Sequence, residues 1–291
     1  MFDSYRQLCR LLLPILLCWP TVQAVVFPAT VEVHLVFPRN DTFAPSALTP
    51  IVFAIYNSQL AAPLDLNFDW DIYQPANPHG PTFTGGIDLI YVNFTNTSSD
   101  PYYAFTTTNV FNATEGAWAL VWSLSSGNCS RPTSAGSNKA SSITYYNRVS
   151  YLDFTTKNGA QQPDLVTATD ADSDTCANTT ERYFTFNVTG TLDTPNPSKY
   201  DGRETCAVIA PPFQTGPTTA KSCAPTIDAS AASSISAAIT SKACKSVDPV
   251  VSCPPDATSD AAAGKAKQFL VGSTAWLKTA ALGGLVYSLV L

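Results

Sequence analysis

Histidine is nearly missing from this chain: His34 and His79 are the only two in 291 residues. A base beside a nucleophile, or a metal site built from imidazoles, has little to draw on. No G-x-S-x-G elbow and no H-E-x-x-H pair occurs, so serine-hydrolase and zinc-peptidase chemistry are not indicated. C-x-x-C spacing is missing too, which removes zinc ribbons and thioredoxin-like redox sites. Charged residues are only 13% of the chain and form no basic cluster, so nucleic acid and anionic membrane surfaces are poor partners. Ser, Thr, Asn, Pro and aromatic residues abound instead, a composition suited to a secreted β-protein.

The N-terminus carries the first positive signal. Arg6 and Arg10 give a basic n-region before a short apolar run, Leu11 to Trp19, broken by Pro20 and followed by Val22-Gln23-Ala24. That is the layout of a cleavable secretory signal over residues 1–24, too short to span a bilayer, with Val25 as the expected first mature residue. Removing Arg6, Arg10 and Asp3 with it takes the 16 basic and 22 acidic residues to 14 and 21, a net charge of −7.

Cysteines and sequons agree with that compartment. Cys9 and Cys18 leave with the signal, and Cys129, Cys176, Cys206, Cys223, Cys244 and Cys253 remain, enough for three disulfides. Cys129 ends one strand region and Cys176 precedes another, so these two are expected to pair. A helix from Asp228 to Ala243 would be ~24 Å long at 1.5 Å per residue, which holds Cys223 and Cys244 too far apart to bond. The expected remaining pairs are therefore Cys223–Cys253 and Cys206–Cys244. N-glycosylation sequons stand at Asn40, Asn93, Asn96, Asn112, Asn128, Asn178 and Asn187, the fifth weakened by Cys129 in its middle position. Asn196 is followed by Pro197 and does not count.

From Val31 to about Thr189 the hydrophobic period is two. Val31, Val33, Leu35 and Phe37 point one way, and Glu32 and His34 the other. Ile51–Tyr56 is apolar on both faces and reads as a central strand. Leu64, Leu66, Phe68, Trp70 and Ile72 alternate with Asp65, Asn67, Asp69 and Asp71, and Trp118, Leu120, Trp122 and Leu124 form a similar set. Weaker strands are expected at 87–94, 102–111, 143–154 and 183–189. About eight strands without helical patterns between them predict an all-β fold, a β-sandwich. Immunoglobulin-like order is suggested by Trp70 on the third strand, but the cysteine placement of antibody domains is missing.

After Cys206 the composition shifts to an extended Pro/Thr-rich segment, followed by one short disulfide-tied helix at Asp228–Ala243. Ala231, Ile235 and Ile239 form its apolar stripe. The expected organisation is a signal peptide at 1–24, a sandwich ectodomain at 25–205, the Cys-bracketed segment and helix at 206–253, and a spacer with an apolar tail at 254–291.

Val33-x-Leu35-x-Phe37-Pro38-Arg39-Asn40, Phe43-Ala44-Pro45 and Pro50-Ile51-Val52-Phe53-Ala54-Ile55-x-Asn57 resemble the opening of an uncharacterised family of fungal secreted proteins. Gly116-x-Trp118-x-Leu120-x-Trp122 and the Cys-bracketed Ala/Ser helix fit as well, so the resemblance covers roughly Val25 to Cys253. It implies a domain of unknown function, often with a carboxy-terminal anchor signal, and carries no functional residues with it.

Fungal secreted sandwiches raise copper-dependent polysaccharide oxidation, which needs a histidine at the mature N-terminus. Val25 is expected there instead, with His34 facing outward on a strand and His79 in a turn. Asp69 and Asp71 share one strand face and read as solvated surface rather than as a glycosidase pair across a cleft. Asp170, Asp172, Asp174 and Glu181 have the spacing of a calcium loop. Thr175 occupies the position that wants glycine, however, and the expectation there is a solvated loop. Neither a catalytic residue nor a cofactor is assigned. Tyr102-Tyr103 and Tyr145-Tyr146 should each present one ring outward, where rings stack on sugars.

Two functions remain open. One is a non-catalytic structural or binding glycoprotein of the cell wall or surface. The other is a carbohydrate-binding or carbohydrate-active protein acting on wall polymers, with wall glycans as partner.

The last feature is the carboxy-terminus. Ala280–Leu291 is an apolar tail, Ser259–Gly264 is rich in small residues, and Lys265, Lys267, Gln268 and Lys278 make the stretch between more polar. That order is the layout of a glycosylphosphatidylinositol anchor signal. Attachment is expected within Asp260, Ala261, Ala262, Ala263 and Gly264, with Gly272 or Ser273 as second choice. The rival is a transmembrane helix from Phe269, which would place Lys278 near mid-bilayer.

Overall fold

The computed structural model describes residues 25–90, 92–94, 100–132, 134, 136–166, 183–196, 198, 203–211 and 226–253. The strands are β1 (Ala29–Phe37), β2 (Thr42–Phe43), β3 (Thr49–Tyr56), β4 (Asn67–Tyr73) and β5 (Phe83–Asp88). They continue with β6 (Tyr102–Thr108), β7 (Gly116–Cys129), β8 (Ile143–Thr156), β9 (Tyr183–Asp193) and β10 (Thr205–Ile209). Two five-stranded sheets result, in the orders β10-β9-β1-β3-β6 and β2-β8-β7-β4-β5. All pairings are antiparallel except the short β2–β8 contact. The expected sandwich is there.

Period-two sequence builds it. β4 buries Phe68, Trp70 and Ile72 and turns Asp69 and Asp71 to water, as an antiparallel sheet with one wet face requires. β3 is buried on both faces except at Tyr56, matching its continuous apolar run. Between the sheets, aromatic rings interleave: Phe53 of β3 stacks on Phe68 of β4 at 4.3 Å between centroids and tilts against Trp122 of β7 at 5.1 Å. Trp122 in turn meets Phe184 of β9 at 4.7 Å. Gly85 of β5 is a packing requirement, because a Cβ there would stand 2.2 Å from the Trp70 ring.

The Ala229–Ala243 helix is capped by Asp228, whose Oδ1 accepts from the Ala231 amide at 2.8 Å. Its Ala232, Ile235 and Ile239 join the main core. The helix lies against β6 on the side from which Tyr103 projects, and Tyr103 Oη donates to the Thr226 carbonyl at 3.4 Å. On that outer side of the first sheet, His34, Val36, Val52 and Ala54 are all buried. The middle of this sandwich face is covered.

Several sequence expectations change. Leu64 closes a short helix, Ala61–Leu64, and β4 starts only at Asn67. Asp65 at the helix C-cap takes a left-handed conformation, φ 52°, which ends the alternation on that side. The strand expected at 87–94 is instead Phe83–Asp88, where Gly85 and Gly86 hide the pattern. β2 and β10 were not expected.

The disulfides differ throughout. Cys129 bonds Cys206, and Cys244 bonds Cys253, so the expected Cys129–Cys176, Cys206–Cys244 and Cys223–Cys253 pairs are wrong. β10 explains the first: it runs beside β9 and comes up against the end of β7, bringing Cys206 to Cys129. The chain after the helix turns back at once, which brings Cys253 to Cys244 at 5.6 Å between Cα atoms. Cys176 and Cys223 lie outside the described residues.

Candidate functional site

The second sheet turns one broad face to solvent, and its register fixes which side chains share it. Because directly paired residues project to the same side, three rows cross β8, β7, β4 and β5. They are Tyr151–Val121–Asp71–Thr84, Val149–Ser123–Asp69–Gly86 and Asn147–Ser125–Asn67–Asp88. Tyr145 and Gly127 continue the first two strands of that array. Tyr145, Val149 and Tyr151 are 55%, 62% and 54% exposed, unusual for an apolar and aromatic stripe on one strand. Facing them across the half-buried Val121, Ser123 and Ser125 stand the exposed Asp69, Asp71 and Asp88.

One end of the face is closed by a buried cation. Arg203, 2% exposed, donates through Nη1 to Asp65 Oδ2 and to Tyr145 Oη, the latter at 3.0 Å. It fits because position 127 is glycine: a Cβ there would lie 2.9 Å from Arg203 Nη2. Beside Asp65, the ends of β4 and β5 border an open depression lined by Asn67, Asp69, Gly86 and Asp88. Gly86 lets the strands approach, since a Cβ on it would meet the Phe68 carbonyl oxygen at 2.7 Å.

The histidines go elsewhere. His34 does not face water; it is 3% exposed, with Nε2 donating to Glu32 Oε2 at 3.1 Å and its ring stacked on Tyr183 at 5.0 Å. Tyr56 meets it edge-on at 5.7 Å. Covering of the first sheet's outer side buries a residue that strand alternation alone would expose. His79 is exposed in the turn before β5. The two histidines sit on different elements.

Around His34 the phenols are shifted. Burial first, and then the negative charge of Tyr103, Glu32 and Asp100, push the Tyr56 phenol up to about 12 from its usual 10.0. Burial also raises Tyr102, Tyr103 and Tyr183, helped at Tyr103 by Asp228 and at Tyr183 by Glu32. A folded pKa above the unfolded one contributes stability that is complete below pH 10 and lost as pH climbs through the folded value. Native circular dichroism is therefore expected to hold to about pH 10 and collapse as tyrosinate absorbance appears. A Tyr56→Phe variant should move that transition to higher pH; an unmoved transition would remove Tyr56 from its cause.

Asp69 and Asp71 lie on solvated strand surface. Of the paired tyrosines, Tyr145 is exposed, Tyr146 and Tyr103 are half-buried, and Tyr102 is buried. The sequon asparagines Asn40, Asn93, Asn112 and Asn187 are exposed. Asn128 is half-buried and its Oδ1 accepts from the Ile209 amide at 2.9 Å. Asn96, Asn178, the acidic group Asp170, Asp172, Asp174 and Glu181, and the anchor segment Asp260–Gly264 lie outside the described residues. Among the described residues no group of three or more His, Cys, Asp or Glu could hold a metal ion, and no helix is long and apolar enough to cross a membrane. Sequence reading missed Arg203 and the Val149–Tyr151 stripe. The alternation of β8 could have revealed the stripe.

Fold and face together define a disulfide-tied, two-sheet β-sandwich with one sheet face covered in its middle and the other open. The chain belongs to the family described as Domain of unknown function (DUF7136), which matches residues 26–253. No curated protein matches it.

Proposed function

We propose that this is a fungal extracellular glycoprotein that acts without catalysis, as a structural or binding component of the cell wall or surface, and is held there by a glycosylphosphatidylinositol anchor. The observation that carries the reading is the pairing of disulfides with exposed sequons. Cys129–Cys206 and Cys244–Cys253 need an oxidising compartment to form, and Asn40, Asn93, Asn112 and Asn187 stand where a glycan can face water. The secretory layout of residues 1–24 and the anchor layout of 254–291 point the same way.

A second reading, a carbohydrate-binding or carbohydrate-active protein acting on wall polymers, is favoured by the exposed rings of β8 beside the carboxylates of β4. Expression of the full chain in a fungal host tests the first. The secreted or surface form should begin at Val25, lose mass on endoglycosidase treatment, and leave intact cells under a phospholipase specific for the anchor. A surface form that resists the phospholipase and still carries Leu291 by mass spectrometry would defeat the anchor, and one that ignores the endoglycosidase would defeat the glycoprotein.

A further inference from the structure

We propose that the open face of the second sheet binds a neutral polysaccharide chain, an inference that rests on the surface-protein reading above and names its ligand class. The rings come first. Tyr145 and Tyr151 project from the same side of β8 with Val149 between them, and six residues of strand at ~3.3 Å each set them ~20 Å apart. That span covers several sugar rings. A tyrosine offers an apolar face to the C–H side of a sugar while its hydroxyl stays wet.

Tyr145 is also held in place before any ligand arrives. Its phenol accepts from Arg203, and that guanidinium is anchored by Asp65. An exposed ring already fixed by a buried partner loses little freedom on binding, which favours affinity.

The strand beside the rings makes the floor. Val121, Ser123, Ser125 and Gly127 are small or half-buried, so β7 forms a shallow trough between the rings of β8 and the polar bank of β4 and β5. On that bank Asp69, Asp71 and Asp88 are acceptors only. Asp88 Oδ1 already accepts from the Ile90 amide at 2.9 Å, and a hydroxyl-rich polymer supplies donors to Asp69 and Asp71. No Lys or Arg occurs in the three rows, so a polyanion would meet uncompensated negative charge.

Two independent observations single out this face. The middle of the first sheet's outer side is buried, with His34, Val36, Val52 and Ala54 beneath cover, and the exposed Asn187 on that side is itself a sequon. None of the seven sequons falls in the three rows, and Asn128, the nearest along β7, is engaged with the Ile209 amide. No glycan would therefore be attached within the three rows.

The test is affinity electrophoresis of the secreted full chain in gels holding soluble β-1,3-glucan, β-1,4-glucan or mannan, with pectate as polyanion and chitosan as polycation. At least one neutral polymer should retard the protein. Tyr151→Ala and Asp71→Asn should each weaken that retardation by about tenfold or more, while Tyr151→Phe, which keeps the ring, should retain most of it. Unchanged melting curves would show that each variant folds. Neutral-polymer binding that survives both Tyr151→Ala and Asp71→Asn would overturn the site, and so would retardation by chitosan alone or by no polymer. None of these failures touches the phospholipase result, which judges the surface-protein reading separately.

Discussion

Replacing Cys129 and Cys206 together by alanine is expected to destabilise the fold by about 4–5 kcal/mol, from the loop-closure entropy of the unfolded chain. The bond spans a sequence separation of 77, and so removes much of the freedom of the unfolded state. It also joins the two sheets covalently, since Cys129 ends β7 in one and Cys206 lies on β10 at the edge of the other. Both residues are buried in a small cluster with Ala140, Leu192 and Val208, so alanine leaves a void as well. β10 has only five residues and one strand partner, which makes it the element most dependent on this tie. Denaturant titration should show a lower midpoint in the double variant than in the parent. Removing Cys244–Cys253, whose separation is 9, should cost only about 2–3 kcal/mol by the same relation. Equal midpoints for parent and Cys129→Ala/Cys206→Ala would show that β10 is held by its ladder and packing alone.

The contrast between these two bonds and the expected pairs shows where sequence was legible. β4, β7 and β8 could be read because one face of their sheet is wet, and a wet face writes alternation into the chain. The helix could be read because its ends carry Asp228 and its stripe carries Ile235 and Ile239. β10 could not. Its Thr-Cys-Ala-Val-Ile is short, and it follows a Pro-rich stretch and precedes another. Missing that strand meant missing the neighbour of Cys129, and the immediate turn back after the helix, which joins Cys244 to Cys253, was missed as well.

His34 failed for a related reason: alternation says which side a residue takes, not whether something covers that side. Cover here depends on Tyr56 and Tyr183, whose rings come from neighbouring strands distant in sequence. The open face was half legible. Asp69 and Asp71 were recognised as outward-facing, and Tyr145 as one of a pair with an outward ring. Their assembly into rows with Val149 and Tyr151 needed the register between β8, β7 and β4, which no single strand encodes.

Trp122→Ala is the second large effect, an expected loss of about 3–5 kcal/mol. Trp122 is 0% exposed and touches rings from the opposite sheet on two strands, Phe53 of β3 and Phe184 of β9. Truncation removes a ring that fills the space between the sheets, taking from Phe184 its ring neighbour and from Phe53 one of two, Phe68 being the other. A close-packed interior collapses only partly into such a void. Its indole Nε1 has no hydrogen-bond partner among the described residues. Trp122→Phe therefore gives up volume but also relieves a buried donor that water would otherwise satisfy. Phenylalanine should cost distinctly less than alanine, and both variants should keep the disulfides intact. Thermal and denaturant melts of the three proteins would decide it. If Trp122→Phe proves as damaging as Trp122→Ala, the indole nitrogen makes a contact that the stability depends on. If neither substitution lowers the midpoint, the two sheets are not held together through this ring.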